Sequence, residues 1–70
     1  MTIGDKIKRI RTFRKMTQAE LGAALGWGDK GANRLAQYET NYRVPKQDLI
    51  TEMAKILDVN PWTLYDATEM

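Results

Sequence analysis

Apolar residues recur at helical spacing along nearly the whole chain, and no segment alternates apolar and polar residues as a half-buried strand would. This periodicity predicts an all-α fold. The first stripe predicts a helix over about residues 3–15, with Thr2 and Asp5 as a weak capping pair at its start. Its apolar positions are Ile3, Ile7, Ile10 and, on the next turn, either Phe13 or Arg14.

A second helix has clearer boundaries. Thr17 and Glu20 have the spacing of a capping box, in which each side chain accepts a hydrogen bond from the other residue's backbone amide. Gly26 is placed to end the helix, because glycine readily adopts the conformation that follows a helix C-terminus. So short a helix is marginal in isolation and must be held by packing. Its predicted buried residues are Leu21, Ala24 and Leu25.

Three further helices complete the predicted fold. The third lies around residues 31–40, with Asp29 as its N-cap and Gly31 as the alternative. The fourth spans about Lys46–Leu57, and Asn60 followed by Pro61 predicts the start of a short fifth helix. We therefore expect one compact five-helix domain over residues 1–70. Its remaining apolar positions are Ala32, Leu35, Tyr38, Leu49, Ile50, Met53, Ala54 and Leu57, with Trp62 and Tyr65 packed on the fourth helix or at a dimer surface.

The 70-residue chain contains no cysteine and no histidine, which limits the catalytic and metal-binding chemistry that it can perform. Disulfides and thiolate metal sites are excluded, and so are the commonest general base and the commonest metal ligand. We expect no enzymatic activity, no catalytic residue, no metal and no cofactor. With no apolar run long enough to span a bilayer and no signal peptide, the sequence predicts a soluble cytoplasmic protein.

Positive charge is concentrated in the first two-thirds of the chain. Ten of the eleven Lys and Arg residues precede Gln47, together with only four of the nine acidic residues. This distribution predicts an anionic partner for the first two-thirds of the chain. For Lys8, Arg9 and Lys15 we favour a solvated helix face instead of a contact.

The second and third helices suggest how such a partner is bound. A DNA major groove admits one α-helix, so one helix must be presented as the reader while another braces it. The outward row of the third helix is Asn33, Arg34 and Gln37. Asn and Gln pair bidentately with adenine, and Arg pairs with guanine. Gln18, at the start of the second helix, is placed to contact a phosphate.

At this point the chain resembles the phage repressor and Cro-type helix-turn-helix family, also called XRE. The resemblance is carried by "TQAELGAALG", "RLAQYET" and "RVPKQDLITEMAKILDVNPWTLYD" and covers Ile3 to Asp66. It implies a lambda-repressor-like fold and double-stranded DNA as the partner. It also implies that Gln18 buttresses the reading helix, and that Arg11 and Glu39 form a structural ion pair. The candidate DNA-binding residues are Gln18, Lys30, Ala32, Asn33, Arg34, Gln37, Asn41, Tyr42, Arg43 and Lys46.

The chain departs from this family in the turn between the second and third helices. Residues 27–37 separate Gly26 from Tyr38, about three more than in relatives, so the turn is lengthened. The segment "GWGDKG" matches the G-x-G-x-x-G dinucleotide fingerprint, but that motif needs a preceding strand, and none is predicted. We expect Gly28 and Gly31 to act as hinges, while Trp27 either covers the end of the core or projects from the loop.

Two functions remain open from the sequence. The first is a sequence-specific transcriptional regulator, a repressor in the simplest case, that binds a palindromic site as a homodimer. The alternative is an antitoxin or adaptor whose acidic C-terminal third grips a protein partner and whose DNA binding is secondary.

Overall fold

The computed structural model describes residues 1–65, which form five α-helices and one 3₁₀ turn. The all-α prediction is confirmed, and no strand occurs among these residues. Asp66, where the resemblance ends, and the tail after it lie outside the described residues. The helices are α1 (Ile3–Phe13), α2 (Gln18–Ala24), α3 (Gly31–Glu39), α4 (Gln47–Leu57) and α5 (Pro61–Tyr65), and the 3₁₀ turn spans Gly28–Lys30.

Each helix buries at least one large apolar side chain in a common core. The fully buried side chains from the five helices are Ile7, Leu21, Leu35, Met53, Leu57 and Leu64. Because α2 is only seven residues long, its stability depends on this shared packing. The prediction that Ala24 is buried is wrong, because Ala24 faces solvent. Phe13, one of the two alternatives for the last turn of the α1 stripe, is exposed by 75%, and Trp62, expected on the fourth helix or at a dimer surface, is exposed by 69%.

Capping fixes where the first two helices begin. The Glu20 amide donates to Thr17 Oγ1 at 3.0 Å, and the Thr17 amide donates to Glu20 Oε1 at 2.8 Å. Thr2 and Asp5 make the same reciprocal pair at the start of α1, at 3.2 and 3.3 Å. Each pair satisfies two backbone amides that have no partner within the helix.

The end of α1 differs from its prediction. The helix ends at Phe13 instead of Lys15, because Lys15 adopts a left-handed conformation with a φ of 60°. The Met16 amide then donates back to the Arg11 carbonyl at 3.1 Å, which terminates the helix.

Gly26 ends α2 as predicted. Its φ of +83° is a conformation that side chains with a Cβ adopt only with strain. The Trp27 amide donates to the Gly22 carbonyl at 3.0 Å and the Gly26 amide to the Ala23 carbonyl at 2.9 Å, the two bonds of a Schellman motif. The chain therefore leaves α2 in a fixed direction.

The lengthened turn continues as the 3₁₀ turn, which leads directly into α3. Asp29 lies inside this turn and is not the N-cap of α3, and neither is Gly31, which is already helical. Lys30 occupies the N-cap position and makes no side-chain capping bond. Asp29 does not cap α3 because the Gly31 amide, which its side chain would approach as an N-cap, already donates to the Gly28 carbonyl.

Gly31 is a packing position, not a hinge. Its φ is −60°, and a Cβ placed there would lie 2.8 Å from Gly22 Cα. A Cβ at Gly22 would lie 2.5 Å from Gly31 Cα. The backbones of α2 and α3 are therefore in direct contact at these two glycines. A residue with a side chain at either position would force the helices apart, so this contact determines how α3 packs on α2.

The α4–α5 region follows its sequence signals. Asn60 Oδ1 accepts a hydrogen bond from the Trp62 amide at 3.0 Å, the N-cap bond expected before Pro61. Arg14, the C-cap residue of α1, donates to the carbonyls of Leu57 and Asp58 at 2.8 and 3.1 Å. A guanidinium at a helix C-terminus also complements the helix dipole, so α1 is tied to the end of α4.

Candidate nucleic-acid interface

A buried ion pair joins α1 to α3. Arg11 Nε and Nη2 donate to the two carboxylate oxygens of Glu39 at 2.6 and 3.2 Å, and Arg11 Nη1 donates to the Met16 carbonyl at 2.8 Å. Both residues are buried, with exposed fractions of 7% and 5%. Such a bidentate pair with an added backbone acceptor holds the last turn of α3 against α1.

Gln18 extends this network to α2. Its Nε2 donates to Glu39 Oε1 at 3.0 Å, while the side chain remains half-buried. One carboxylate thus receives hydrogen bonds from two other helices. No buried side-chain nitrogen or oxygen within the described part of the chain lacks a partner. The position of Gln18, at the start of α2, is therefore that of a brace for α3.

The outward face of α3 is polar and basic. Asn33 and Arg34 are exposed, Ala32 and Gln37 are partly exposed, and Leu35 and Tyr38 of the same helix are buried. Glu39 is the only acidic residue of this helix, and its charge is held inside by Arg11. The exposed face therefore presents amide and guanidinium groups with no carboxylate among them.

Trp27, from the lengthened turn, lies against this face. Its ring stacks on the Tyr38 ring, with centroids 5.7 Å apart and an angle of 26° between the planes. The guanidinium carbon of Arg34 lies 4.3 Å from the centroid of the Trp27 ring. The sequence left the role of Trp27 open, because the 3₁₀ turn that brings it to Arg34 has no periodicity from which the contact could be read.

Arg43 and Gln37 are joined across the loop that follows α3. Arg43 Nε donates to Gln37 Oε1 at 2.6 Å, and the Arg43 amide donates to the Gln37 carbonyl at 3.0 Å. The loop thus folds back onto the outward face of the helix. The pairing uses the amide oxygen of Gln37, so its NH₂ group is the end directed to other partners.

Asn41 is occupied by contacts with the start of α1. Its Oδ1 accepts from the Gly4 amide at 3.2 Å and its Nδ2 donates to Thr2 Oγ1 at 2.9 Å. The residue has a φ of 66°, which Asn tolerates better than most side chains. These bonds give Asn41 a clear structural role in closing the loop.

The remaining candidates lie on the exposed surface around α3. Lys30 precedes the first turn of the helix, and Lys46 occupies the N-cap position of α4 without a side-chain cap. Tyr42 has an exposed fraction of 79%. All three therefore have side chains free to meet a ligand that approaches α3 and its following loop.

Residues 1–65 contain no group of three or more acidic residues placed to hold a metal ion. None of the helices formed by these residues is both long and apolar enough to cross a bilayer.

Comparison with known proteins yields one match. A family model described as helix-turn-helix matches residues 7–61, from the middle of α1 to the first residue of α5. No curated protein and no solved structure matches the chain significantly. The matched range includes the ion pair, the braced α3 and the loop after it.

Proposed function

The chain belongs to the Cro/C1-type family of helix-turn-helix proteins, which are DNA-binding transcription regulators, and from this we propose that it represses transcription by binding a specific double-stranded site as a homodimer. The observation that carries the proposal is the polar row of the exposed Asn33 and Arg34 and the partly exposed Gln37, on a helix that Gln18 braces through Glu39. In this proposal α3 enters the major groove, where such side chains discriminate base pairs by their donors and acceptors.

The surrounding charges have the sign that DNA binding requires. Lys30 lies before α3 and Arg43 lies in the loop after it, both exposed. We assign these two, with Tyr42 and Lys46, to the phosphate backbone, which positions the reading helix without carrying sequence information. Gln18 braces α3 and, with the amides of its own helix end, faces a phosphate.

A homodimer follows from the amount of sequence that one module can read. A single reading helix contacts only a half-site, and two modules related by a twofold axis read an inverted repeat whose halves are about 34 Å apart. Repression is proposed on the resemblance to phage repressors. Sedimentation of the protein with an inverted-repeat duplex and with a half-site duplex distinguishes two bound chains from one.

The test of sequence-specific binding is selection of bound duplexes from random DNA at low salt. We expect an enriched motif, and we expect Arg34→Ala to weaken binding to that motif about tenfold or more, with a smaller loss on random DNA. Arg9→Ala, which removes the same side chain from an exposed position on α1, is the matched control and leaves both affinities nearly unchanged.

Two outcomes would contradict the proposal. If selection returns no motif, the protein does not read sequence. If Arg34→Ala weakens the selected and random duplexes equally, Arg34 contacts only phosphate. A tightly co-purifying protein together with salt-labile, non-selective DNA binding would favour the antitoxin or adaptor alternative.

A further inference from the structure

We propose that Trp27 is a positioning residue for DNA reading, which holds the Arg34 guanidinium against its indole so that the hydrogen-bond donors of Arg34 face a guanine. This inference rests on the proposed function and assigns a role to the lengthened turn. It concerns a residue outside the reading helix, brought to that helix by the 3₁₀ turn.

The first support is the distance between the two groups. The Arg34 guanidinium carbon lies 4.3 Å from the Trp27 ring centroid, within the range of a cation–π contact. A guanidinium that stacks by its face keeps its N–H groups in the plane, at the edge of the stack. Within the described residues the Arg34 side chain makes no hydrogen bond and no ion pair. Its five N–H donors are therefore uncommitted, although the group is held.

The second support is that Trp27 is itself fixed. Its ring stacks on the buried ring of Tyr38, one helical turn after Arg34, and its amide is bonded to the Gly22 carbonyl. An anchored ring limits the rotamers of the long Arg34 side chain before DNA arrives. Binding then loses less side-chain entropy than it would with a freely rotating arginine.

The third support is the position of Arg34 on the helix. It is the fourth residue of α3, near the N-terminal end, which in helix-turn-helix proteins lies closest to the base edges. Guanine offers the two acceptors, N7 and O6, that match a planar pair of guanidinium donors. We therefore assign Arg34 to one guanine in each half-site, with Trp27 setting the plane of the fork.

The decisive experiment is a double-mutant cycle on binding to the selected duplex. Trp27→Leu removes the aromatic face but keeps an apolar contact, and Arg34→Met removes the charge but keeps the stem. We expect Trp27→Leu to weaken binding about fivefold in the wild-type background and to have no further effect beside Arg34→Met. Trp27→Phe, which retains an aromatic face, restores most of the affinity.

A structural role for Trp27 predicts a different pattern. If Trp27 only supports the fold, Trp27→Leu lowers affinity by the same factor in both backgrounds, and that result overturns the proposal. No loss in either background overturns it as well. Changing the base pair that Arg34 reads supplies a second readout, since the effect of Trp27→Leu must shrink on that altered duplex and stay the same on other altered duplexes.

A measurement without DNA keeps the proposal testable if Trp27→Leu fails to fold. The chain has two tryptophans, and Trp62 is exposed, so Trp62→Phe leaves Trp27 as the single emitter. Adding Arg34→Met must then change the Trp27 emission, and unchanged emission would mean that the contact does not exist in solution. Failure of the proposed function is distinct, because it appears as the absence of any selected motif with the unaltered protein.

Discussion

The carboxylate of Glu39 receives three hydrogen bonds, two from Arg11 and one from Gln18, and is buried. Replacing it by alanine leaves the Arg11 charge buried without its partner. We expect Glu39→Ala to lower the free energy of unfolding by about 3–5 kcal/mol, measured by urea denaturation. Glu52→Ala, at an exposed position on α4, is the control and changes that free energy by less than about 0.5 kcal/mol. A loss equal to that of the control would mean that the pair does not hold α3.

Single residues also mark where sequence reasoning succeeds and where it stops. Helical spacing placed Leu35 and Tyr38 inside and Asn33 outside, because a helix has one fixed period. The contact of Trp27 with Arg34 depends on the path of an irregular turn, which has no such period. Similarly, the spacing left Phe13 and Arg14 as alternatives for the last turn of the first stripe; Phe13 is exposed, and Arg14 makes the contact with the end of α4.

At the level of elements, the contact between α2 and α3 depends on two glycines that meet backbone to backbone. A Cβ at Gly22 would lie 2.5 Å from Gly31 Cα, so one helix must move. A Cβ at Gly26 would meet no heavy atom within 4 Å, so an alanine there costs only backbone strain. We expect Gly26→Ala to destabilise the protein by about 1 kcal/mol and Gly22→Ala by clearly more.

The two glycine variants also separate an effect on stability from an effect on DNA binding. Because Gly22→Ala must displace α3, the surviving folded protein is expected to bind the selected duplex more weakly, whereas Gly26→Ala keeps its affinity. Ala23→Ser, on the exposed side of α2, is a control for surface change on the same helix. Binding titrations at a temperature where each variant is folded make the measurement. Equal stability for the two glycine variants would show that α2 and α3 can separate without cost.

The elements themselves were largely predictable, because their signals are local. Capping boxes at Thr2 and Thr17 need only residues three apart, and Gly26 and Asn60 act on the chain next to them. The start of α3 was not predictable in this way. Asp29 is a good N-cap by residue type, but residues 28–30 form a 3₁₀ segment that runs into the helix without a side-chain cap.

At the level of the whole molecule, charge is divided between a basic portion that contains α3 and an acidic portion from Gln47 onward. In the proposed complex, this distribution favours approach to DNA through the basic portion of the chain and disfavours approach through the acidic portion. In that proposed complex, the orientation of the bound molecule depends on phosphate contacts around α3, in addition to the base contacts proposed for its outward row. Total charge alone does not identify which lysines make them.

The dependence of binding affinity on salt concentration identifies the lysines that contact phosphates. Each phosphate contact releases counterions and steepens the fall of log K with log salt by about 0.9. We expect Lys30→Ala to reduce that slope by about 0.9 between roughly 50 and 200 mM salt, because Lys30 lies exposed at the start of α3, the proposed reading helix. Lys8→Ala removes the same charge from the exposed surface of α1 and is expected to leave the slope unchanged. Equal reductions of the slope for the two variants would mean that binding depends only on the net charge of the protein. In that case α3 would not be the element that contacts DNA.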